Sequence, residues 1–319
     1  MRTIRFGRTD ERVSAVALGT WAHGGPRRQS DIAVGWGGHD DDEAVAALVR
    51  AAELGITHWD TADAYGDGRS ERLIGAAWES VDRRAIFLAT KVGWLKGPYD
   101  HYYHPEQVRS QLERSLANLR TDVIDLYYLH HCDFGPDDAR LDDALEVLHR
   151  AREAGKIRYI GLSDWKAKKI LRLCPRVDPD VVQPYRNVMD DGYAGSGLDR
   201  WVEEHDLGVA FFSPLKHGLL LGKYDAPPEF EQGDMRGRVP AFRDEELLRR
   251  LRSHRDEIVG RVRHPHPVLH ALVGALLEDS PTASVLLGQR RPRQVESAAT
   301  LGDPLDAETA AWVRRLYTS

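Results

Sequence analysis

Asp60, Tyr65, Lys91 and His130 are the residues of this chain whose types and positions suit proton transfer. They occur in three short segments, Trp59-Asp60-Thr61-Ala62-Asp63-Ala64-Tyr65-Gly66, Ala89-Thr90-Lys91 and Asp125-Leu126-Tyr127-Tyr128-Leu129-His130, each placing a polar group at the end of an apolar run. A free phenol ionises near ~10, too high for an efficient acid at neutral pH. A nearby ammonium favours the phenolate and lowers that value. A carboxylate would hold the lysine in place, and a histidine could orient a substrate oxygen or help relay the proton. Such a group reads as a general acid for a carbonyl oxygen that is receiving a hydride. No side chain donates hydride, so a nicotinamide cofactor has to supply it. Taken singly, each residue has a plainer reading: a helix cap or turn for Asp60, a solvated loop lysine for Lys91, a satisfied buried histidine for His130, packing for Tyr65. Four of them in one register argue for a site.

The elements that must position them are strands and helices in alternation. Short apolar runs at 15–18, 56–59, 85–89, 123–129, 159–162, 181–183, 209–212 and 284–287 read as buried parallel strands, which need no alternation of polar and apolar residues. Helical spacing covers 41–53, 71–78, 105–116, 142–152, 167–173, 198–204, 245–259 and 268–277, followed by a helical C-terminus. Acids begin the first of these helices and Gly55 follows it. Pro105 stands in the first turn of the third. A hairpin over 3–16, turning at Gly7-Arg8-Thr9-Asp10, precedes them. Eight βα units predict an α/β fold of the (β/α)8 TIM-barrel type, with an N-terminal β-hairpin and extra helices near the C-terminus, in one domain over 1–319. The tetrad residues then fall at, or just past, C-terminal strand ends, where such barrels carry their sites. The stretch 216–242, rich in Gly and Pro, reads as a long functional loop.

Bulk properties exclude several classes. The 319 residues are 42% hydrophobic and 29% charged, as expected of a globular protein with a sizeable core. A net charge of -6 argues against a nucleic-acid partner. No apolar stretch approaches the roughly 20 residues that span a bilayer, so no membrane partner is expected. The N-terminal residues do not form a signal peptide. Cys132 and Cys174 follow no metal-ligand spacing, and a reduced, cytoplasmic setting is expected. His264, His266 and His270 lack an acidic partner and read as surface residues, so no metal is expected. Lys166 to Lys169 reads as a solvated helix face.

From Leu18 to Gln294 the chain resembles the aldo-keto reductases. The resemblance identifies Asp60, Tyr65, Lys91 and His130 with that family's catalytic tetrad. The pattern Asp-Leu-Tyr-x-x-His-x-x-Asp over 125–133 selects His130 over His131. It also implies a cofactor cleft. Ser163, Asp164 and Gln183 stand where members hold the nicotinamide carboxamide, and Phe212 where a ring stacks on the nicotinamide. Thr20 and Trp21 belong to the same cleft. Ser213, Pro214, Leu215, Gly218 and Lys223 fall in the stretch resembling the pyrophosphate-binding segment. Arg236 lies in the part that resembles a fold over the dinucleotide, and Gly288, Arg290 and Gln294 at the adenosine end. Arg290 suits a 2′-phosphate, because guanidinium matches phosphate geometry bidentately, so NADP is favoured over NAD.

Three positions depart from the family pattern. Asp164 replaces the usual Asn and cannot donate to a carbonyl unless protonated. Its charge would favour the oxidised ring and hence alcohol oxidation. Phe212 replaces the commoner Tyr or Trp, and Ser297-Ala298 replaces a Glu-Asn pair that contacts adenine. Trp36 and Trp94 are expected to line the substrate pocket, with Trp21, Tyr99, Tyr102 and Tyr103 in the same loops. Aromatic walls suit a small apolar carbonyl compound or alcohol, or the face of a sugar. The expected activity is therefore that of an NADP-dependent oxidoreductase acting on an aldehyde, ketone or sugar. A cofactor-binding, redox-sensing subunit with little turnover, like the potassium-channel β subunits of the same family, fits the same residues. A hydrolytic barrel using Asp60 with a second carboxylate leaves Lys91 and Tyr65 without a role. The oligomeric state is not legible.

Overall fold

A computed structural model describes residues 1–29 and 31–318. In chain order the strands are β1 (Thr3–Arg5), β2 (Arg12–Ser14), β3 (Val16–Gly19), β4 (Arg28–Gln29), β5 (Ile32–Ala33), β6 (His58–Asp60), β7 (Phe87–Val92), β8 (Ile124–Leu129), β9 (Ile157–Asp164), β10 (Val181–Pro184), β11 (Gly208–Phe211) and β12 (Ser284–Gly288). The helices are α1 (Asp41–Glu53), α2 (Arg69–Ala77), α3 (Pro105–Leu119), α4 (Leu141–Glu153), α5 (Ala167–Val177), α6 (Leu198–Glu204), α7 (Glu245–Arg261), α8 (Pro267–Asp279), α9 (Pro292–Ala299) and α10 (Ala307–Thr318). β3, β6, β7, β8, β9, β10, β11 and β12 close a parallel barrel in that cyclic order. The expected (β/α)8 architecture is therefore the observed one.

Local chemistry explains the element ends. Asp40 caps α1 by accepting from the Glu43 amide at 2.9 Å, and Asp41, Asp42 and Glu43 complement the helix dipole. Gly55, at φ 74°, supplies the left-handed step from α1 towards β6 that a side chain disfavours. Asp244 caps α7 in the same way through the Leu247 amide.

Two apolar compartments form. The larger lies between the strands and the helices and includes Leu48, Trp59, Ile74, Leu112 and Leu148. The smaller fills the lower bore, where Ile4, Phe6 and Val13 of the hairpin meet Phe87, Leu126 and Leu286. The hairpin thus plugs the barrel floor. It is shorter than expected: β2 stops at Ser14, and Val16, which the sequence pattern placed both in the hairpin and in the first barrel strand, belongs to the barrel.

Other differences have plain causes. β4 and β5 pair antiparallel inside the loop after β3, but two residues each are too few to leave a pattern. β7 runs on to Val92, so Lys91 is inside the strand rather than at its end. β11 stops at Phe211, and Phe212 makes only an isolated bridge to Tyr185. The C-terminal helical region is two helices, α9 and α10.

The register sets the upper bore. Lys91 pairs with Tyr128, and Tyr128 with Gly161. A Cβ on Gly161 would lie 2.2 Å from a Tyr128 ring carbon, so this strand position must be bare for the ring to fill the bore. Gly161→Ala is expected to lower stability by about 1–3 kcal/mol through overpacking. An unchanged urea midpoint would show that Tyr128 can move aside freely.

Candidate active site

Asp60 is the last residue of β6, Lys91 projects from β7, and His130 follows β8, so three adjacent strands deliver three groups to one rim. The turn after β6 brings Tyr65 back over them. Lys91 Nζ donates to Asp60 Oδ1 at 2.5 Å, to the Thr61 carbonyl at 2.7 Å and to the Tyr65 hydroxyl at 3.5 Å. Gln183 Nε2 donates to Asp60 Oδ2 at 2.8 Å. The rings of Tyr65 and His130 meet edge-on, 5.9 Å between centroids. His131 turns elsewhere, its Nε2 lying 2.6 Å from the Gly93 carbonyl. The four expected residues are thus brought together around Lys91 Nζ.

Asp60 and Lys91 are both buried. Burial pushes the Asp60 carboxyl up and the Lys91 ammonium down, and the attraction between them opposes both shifts. The Tyr65 phenol is pushed well above its ordinary value, first by burial and then by Asp60 and Asp63. This reverses the lowering expected from a neighbouring ammonium, because burial and the two carboxylates outweigh it. Burial and Lys91 hold His130 well below the ordinary imidazole value, so its ring is neutral. Its Nδ1 is buried and has no partner within the described protein. The arrangement presents a neutral phenol as proton donor beside a neutral imidazole.

Aromatic residues wall this rim. Trp21 stacks on Tyr65 at 6.0 Å, and Trp36 and His217 meet Trp21 edge-on at 5.6 and 5.9 Å. Trp94 lies across from them, 6.0 Å from the His130 ring. Trp36 and Trp94 thus stand within one or two rings of Tyr65. Tyr103 does not line the rim: it is fully buried, stacks on Phe134 and donates to the His131 carbonyl at 2.7 Å. Tyr99 stacks on His104 at 4.4 Å. His217 was missed because its backbone, at φ 61°, lies in a left-handed region that its residue type does not announce.

The cofactor-type residues lie along the other half of the barrel, at the ends of β9 to β12. Ser163 Oγ donates to the Gln183 carbonyl at 3.0 Å. Each oxygen of Asp164 accepts a backbone amide at 2.8 Å, from Cys132 and from Lys166. The carboxylate is therefore held in place by two amides while keeping its charge. Phe212 is half-buried and meets Trp165 edge-on at 4.9 Å. Ser213 and Gly218 have φ of 58° and 84°, Pro214 is buried and Leu215 half-buried. Thr20 does not face the cleft: it is fully buried, and its hydroxyl donates to the Asp60 carbonyl at 2.9 Å. Its place is in supporting Asp60.

Beyond them lies a group of cations. Arg236 pairs with Asp234 at 2.6 Å and stacks on Trp36 at 4.5 Å. Burial and the charges of Arg236 and Arg290 pull the Lys223 ammonium down, and burial with Arg236 and Arg291 does the same to Arg290. Arg290 donates to the Gly37 carbonyl, and the Gln294 side-chain oxygen accepts from the Arg290 amide at 3.1 Å. Gly288, the last residue of β12, is exposed. Three crowded cations form a site that an anionic group would relieve, so the residues fit a dinucleotide phosphate. A cavity of about 600 Å3 opens beside Arg236, lined by Pro227, Phe230 and Phe242 among others.

Two further acids went unread. Asp63 is buried, and neither of its oxygens has a partner within the described protein. Burial and the adjacent Glu71 push its carboxyl well above the ordinary range. Glu71 accepts from Thr90 at 2.8 Å and Asn118 at 3.0 Å, behind the strand that carries Lys91. Among the described residues no His, Cys, Asp and Glu cluster suits a metal. Both cysteines are free and buried, and among the described residues no helix is long and apolar enough to cross a membrane.

A parallel eight-stranded barrel with an acid, a phenol, an ammonium and an imidazole at one rim defines a class of oxidoreductases. Residues 15–315 match the aldo/keto reductase family, and the chain belongs to it. It is 30% identical to the aldo-keto reductase YhdN of Bacillus subtilis over 295 residues, covering 91% of this chain and 85% of that one. It is 27% identical to the NADH-specific methylglyoxal reductase of Escherichia coli, over 99% and 98% of the two chains. The solved glycerol dehydrogenase of Gluconobacter oxydans superposes with a TM-score of 0.78 at 28% identity, over 98% and 94% of the chains. The protein is an NAD(P)-dependent oxidoreductase of carbonyl substrates.

Removing one member of the buried ion pair strands the other. Asp60→Asn is expected to cost about 3–5 kcal/mol of folding stability. Adding Lys91→Met should recover most of that loss, since neither charge then remains. Additive losses in denaturant unfolding of the single and double variants would contradict the coupling.

Proposed function

We propose that the protein is an NADP-dependent carbonyl reductase or alcohol dehydrogenase in which Tyr65 is the general acid and base. The observation that carries this reading is Lys91 Nζ, which touches Asp60 and the Tyr65 hydroxyl together while His130 faces the same phenol. When bound, the nicotinamide supplies or accepts the hydride. Asp60 and the Thr61 carbonyl hold Lys91, and Lys91 fixes the phenol by donating to it. Tyr65 then gives its proton to the substrate oxygen, and neutral His130 orients that oxygen. Trp36 and Trp94 bind the rest of a small aldehyde, ketone, alcohol or sugar.

Ser163, Asp164, Gln183 and Phe212 are assigned to the nicotinamide end, and Trp21 to the boundary with the substrate. Asp164 contacts the carboxamide only while also serving the Cys132 and Lys166 amides. Ser213, Pro214, Leu215, Gly218, Lys223 and Arg236 are assigned to the pyrophosphate, and Gly288, Arg290 and Gln294 to the adenosine end. Preference for NADP over NAD rests on Arg290 at the adenosine end, whose guanidinium pairs with a 2′-phosphate far better than with a hydroxyl. We further assign one barrel domain, a cytoplasmic setting consistent with two free thiols, and no nucleic-acid or membrane partner.

Tyr65→Phe should reduce NADPH-driven aldehyde reduction by about a thousandfold while leaving NADPH affinity within a few fold, because only the phenolic proton is lost. Retained turnover would refute the role. The pH dependence follows from the raised phenol. Reduction needs the protonated form, which persists below its pKa, so the reductive rate should hold on the alkaline side through the ordinary phenol range. Oxidation needs the phenolate and should rise over the same interval. Arg290→Ala should raise KM for NADPH about tenfold and leave KM for NADH nearly unchanged. Equal effects on both cofactors would remove the case for a 2′-phosphate contact.

A further inference from the structure

Arg27 belongs to none of the groups above. It lies in the loop after β3 and is half-buried, and among the described residues its guanidinium has no carboxylate partner within ion-pair distance. One nitrogen, Nη1, donates to the Ala64 carbonyl at 2.7 Å, which leaves most of its five N–H donors uncommitted. Arg238, Lys223 and Arg290 likewise lack a carboxylate, but Arg238 is turned to the Ala33 carbonyl and the other two belong to the cation group already described, whereas three other cations of these loops are paired. Lys216 is paired with Asp190, Arg69 with Asp41, and Arg236 with Asp234.

Its backbone is held on both sides. The Arg27 amide donates to the Gly233 carbonyl at 3.3 Å, and the Arg27 carbonyl accepts from Val34 at 2.9 Å. The Val34 carbonyl accepts the Trp21 indole N–H at 3.2 Å, and Trp21 is the ring stacked on Tyr65. The side chain therefore reaches from beside Trp21 to the residue preceding Tyr65. Covalent geometry limits the distance from Nη1 to the Tyr65 hydroxyl to about 12 Å. The imidazoles at this rim bring no charge: burial holds His130 well below its ordinary value and His217 at about 4. Asp60 is committed to Lys91 and Gln183, and Asp164 to two amides.

We propose that Arg27 is a specificity-determining residue that receives an anionic group on the carbonyl substrate. The favoured substrates are small aldehydes or ketones bearing a carboxylate or phosphate a few bonds from the carbonyl carbon. The guanidinium, already oriented by Ala64, donates to that anion while Tyr65 protonates the carbonyl oxygen. This rests on the oxidoreductase reading above.

The test compares butanal with 4-oxobutanoate, and glyceraldehyde with its 3-phosphate, under NADPH. For the intact protein, kcat/KM for at least one anionic member is expected to exceed that of its neutral counterpart about tenfold or more, chiefly through KM. The pair that shows it separates carboxylate from phosphate recognition. Arg27→Gln should bring that ratio close to one, and Arg27→Lys should restore part of it. No anionic preference in the intact protein overturns the inference. So does a ratio that survives Arg27→Gln, since a merely structural residue would depress both members of a pair together. In either case Tyr65-dependent turnover of the neutral aldehydes leaves the oxidoreductase reading standing. Failure to reduce any member with NADPH or NADH overturns both.

Discussion

A buried lysine needs a reason to keep its proton, and here the reason is one carboxylate. Lys91 and Asp60 are both withdrawn from water, which disfavours each charge, and their 2.5 Å contact opposes that loss. The remaining hydrogen-bonding capacity is met by the Thr61 carbonyl and by Gln183. The backbone of Asp60 is fixed as well, since the Thr20 amide and hydroxyl both donate to its carbonyl and Ser70 donates to Thr20. Burial, aided by the charges of Asp60 and Asp63, keeps the proton on the phenol beside the pair. A donor that must deliver hydrogen to a carbonyl oxygen gains from that condition.

The barrel divides its labour. Asp60, Lys91 and His130 stand on or just past β6, β7 and β8, and the residues proposed above for a dinucleotide stand at the ends of β9 to β12. The rim between them is walled by Trp21, Trp36 and His217. Two distant loops meet over it: Gly35 bridges Asp234, and the Asp234 carboxylate accepts the Gly37 amide at 2.8 Å while pairing with Arg236.

Much of this was legible in the sequence. α1 and α6 have the boundaries their spacing predicted, and α1 also carries a capping acid and a terminal glycine. The barrel strands were found because they are short, apolar and bounded by turn residues. Asp60, Tyr65, Lys91 and His130 were recognisable because several motifs in order are far more specific than any one. What was not legible depends on distance. Thr20 and Tyr103 looked like rim residues by position, but their side chains turn into the protein. The sign of the Tyr65 shift depends on burial and on where the charge of Lys91 is spent, and neither is encoded in local sequence. Arg27 and Asp63 stand out only when one sees which partners they lack.

β6 and β10 stand opposite one another in the ring of eight strands. The Gln183 amide that meets Asp60 therefore runs along a diameter of the barrel, joining staves that share no backbone bond. A tie-rod of that kind opposes ovalisation of the cylinder, and it couples the stave that ends in Asp60 to the one that carries Gln183. Slack on one side of the ring is thereby felt at Asp60, and through Lys91 at the Tyr65 phenol, on the other.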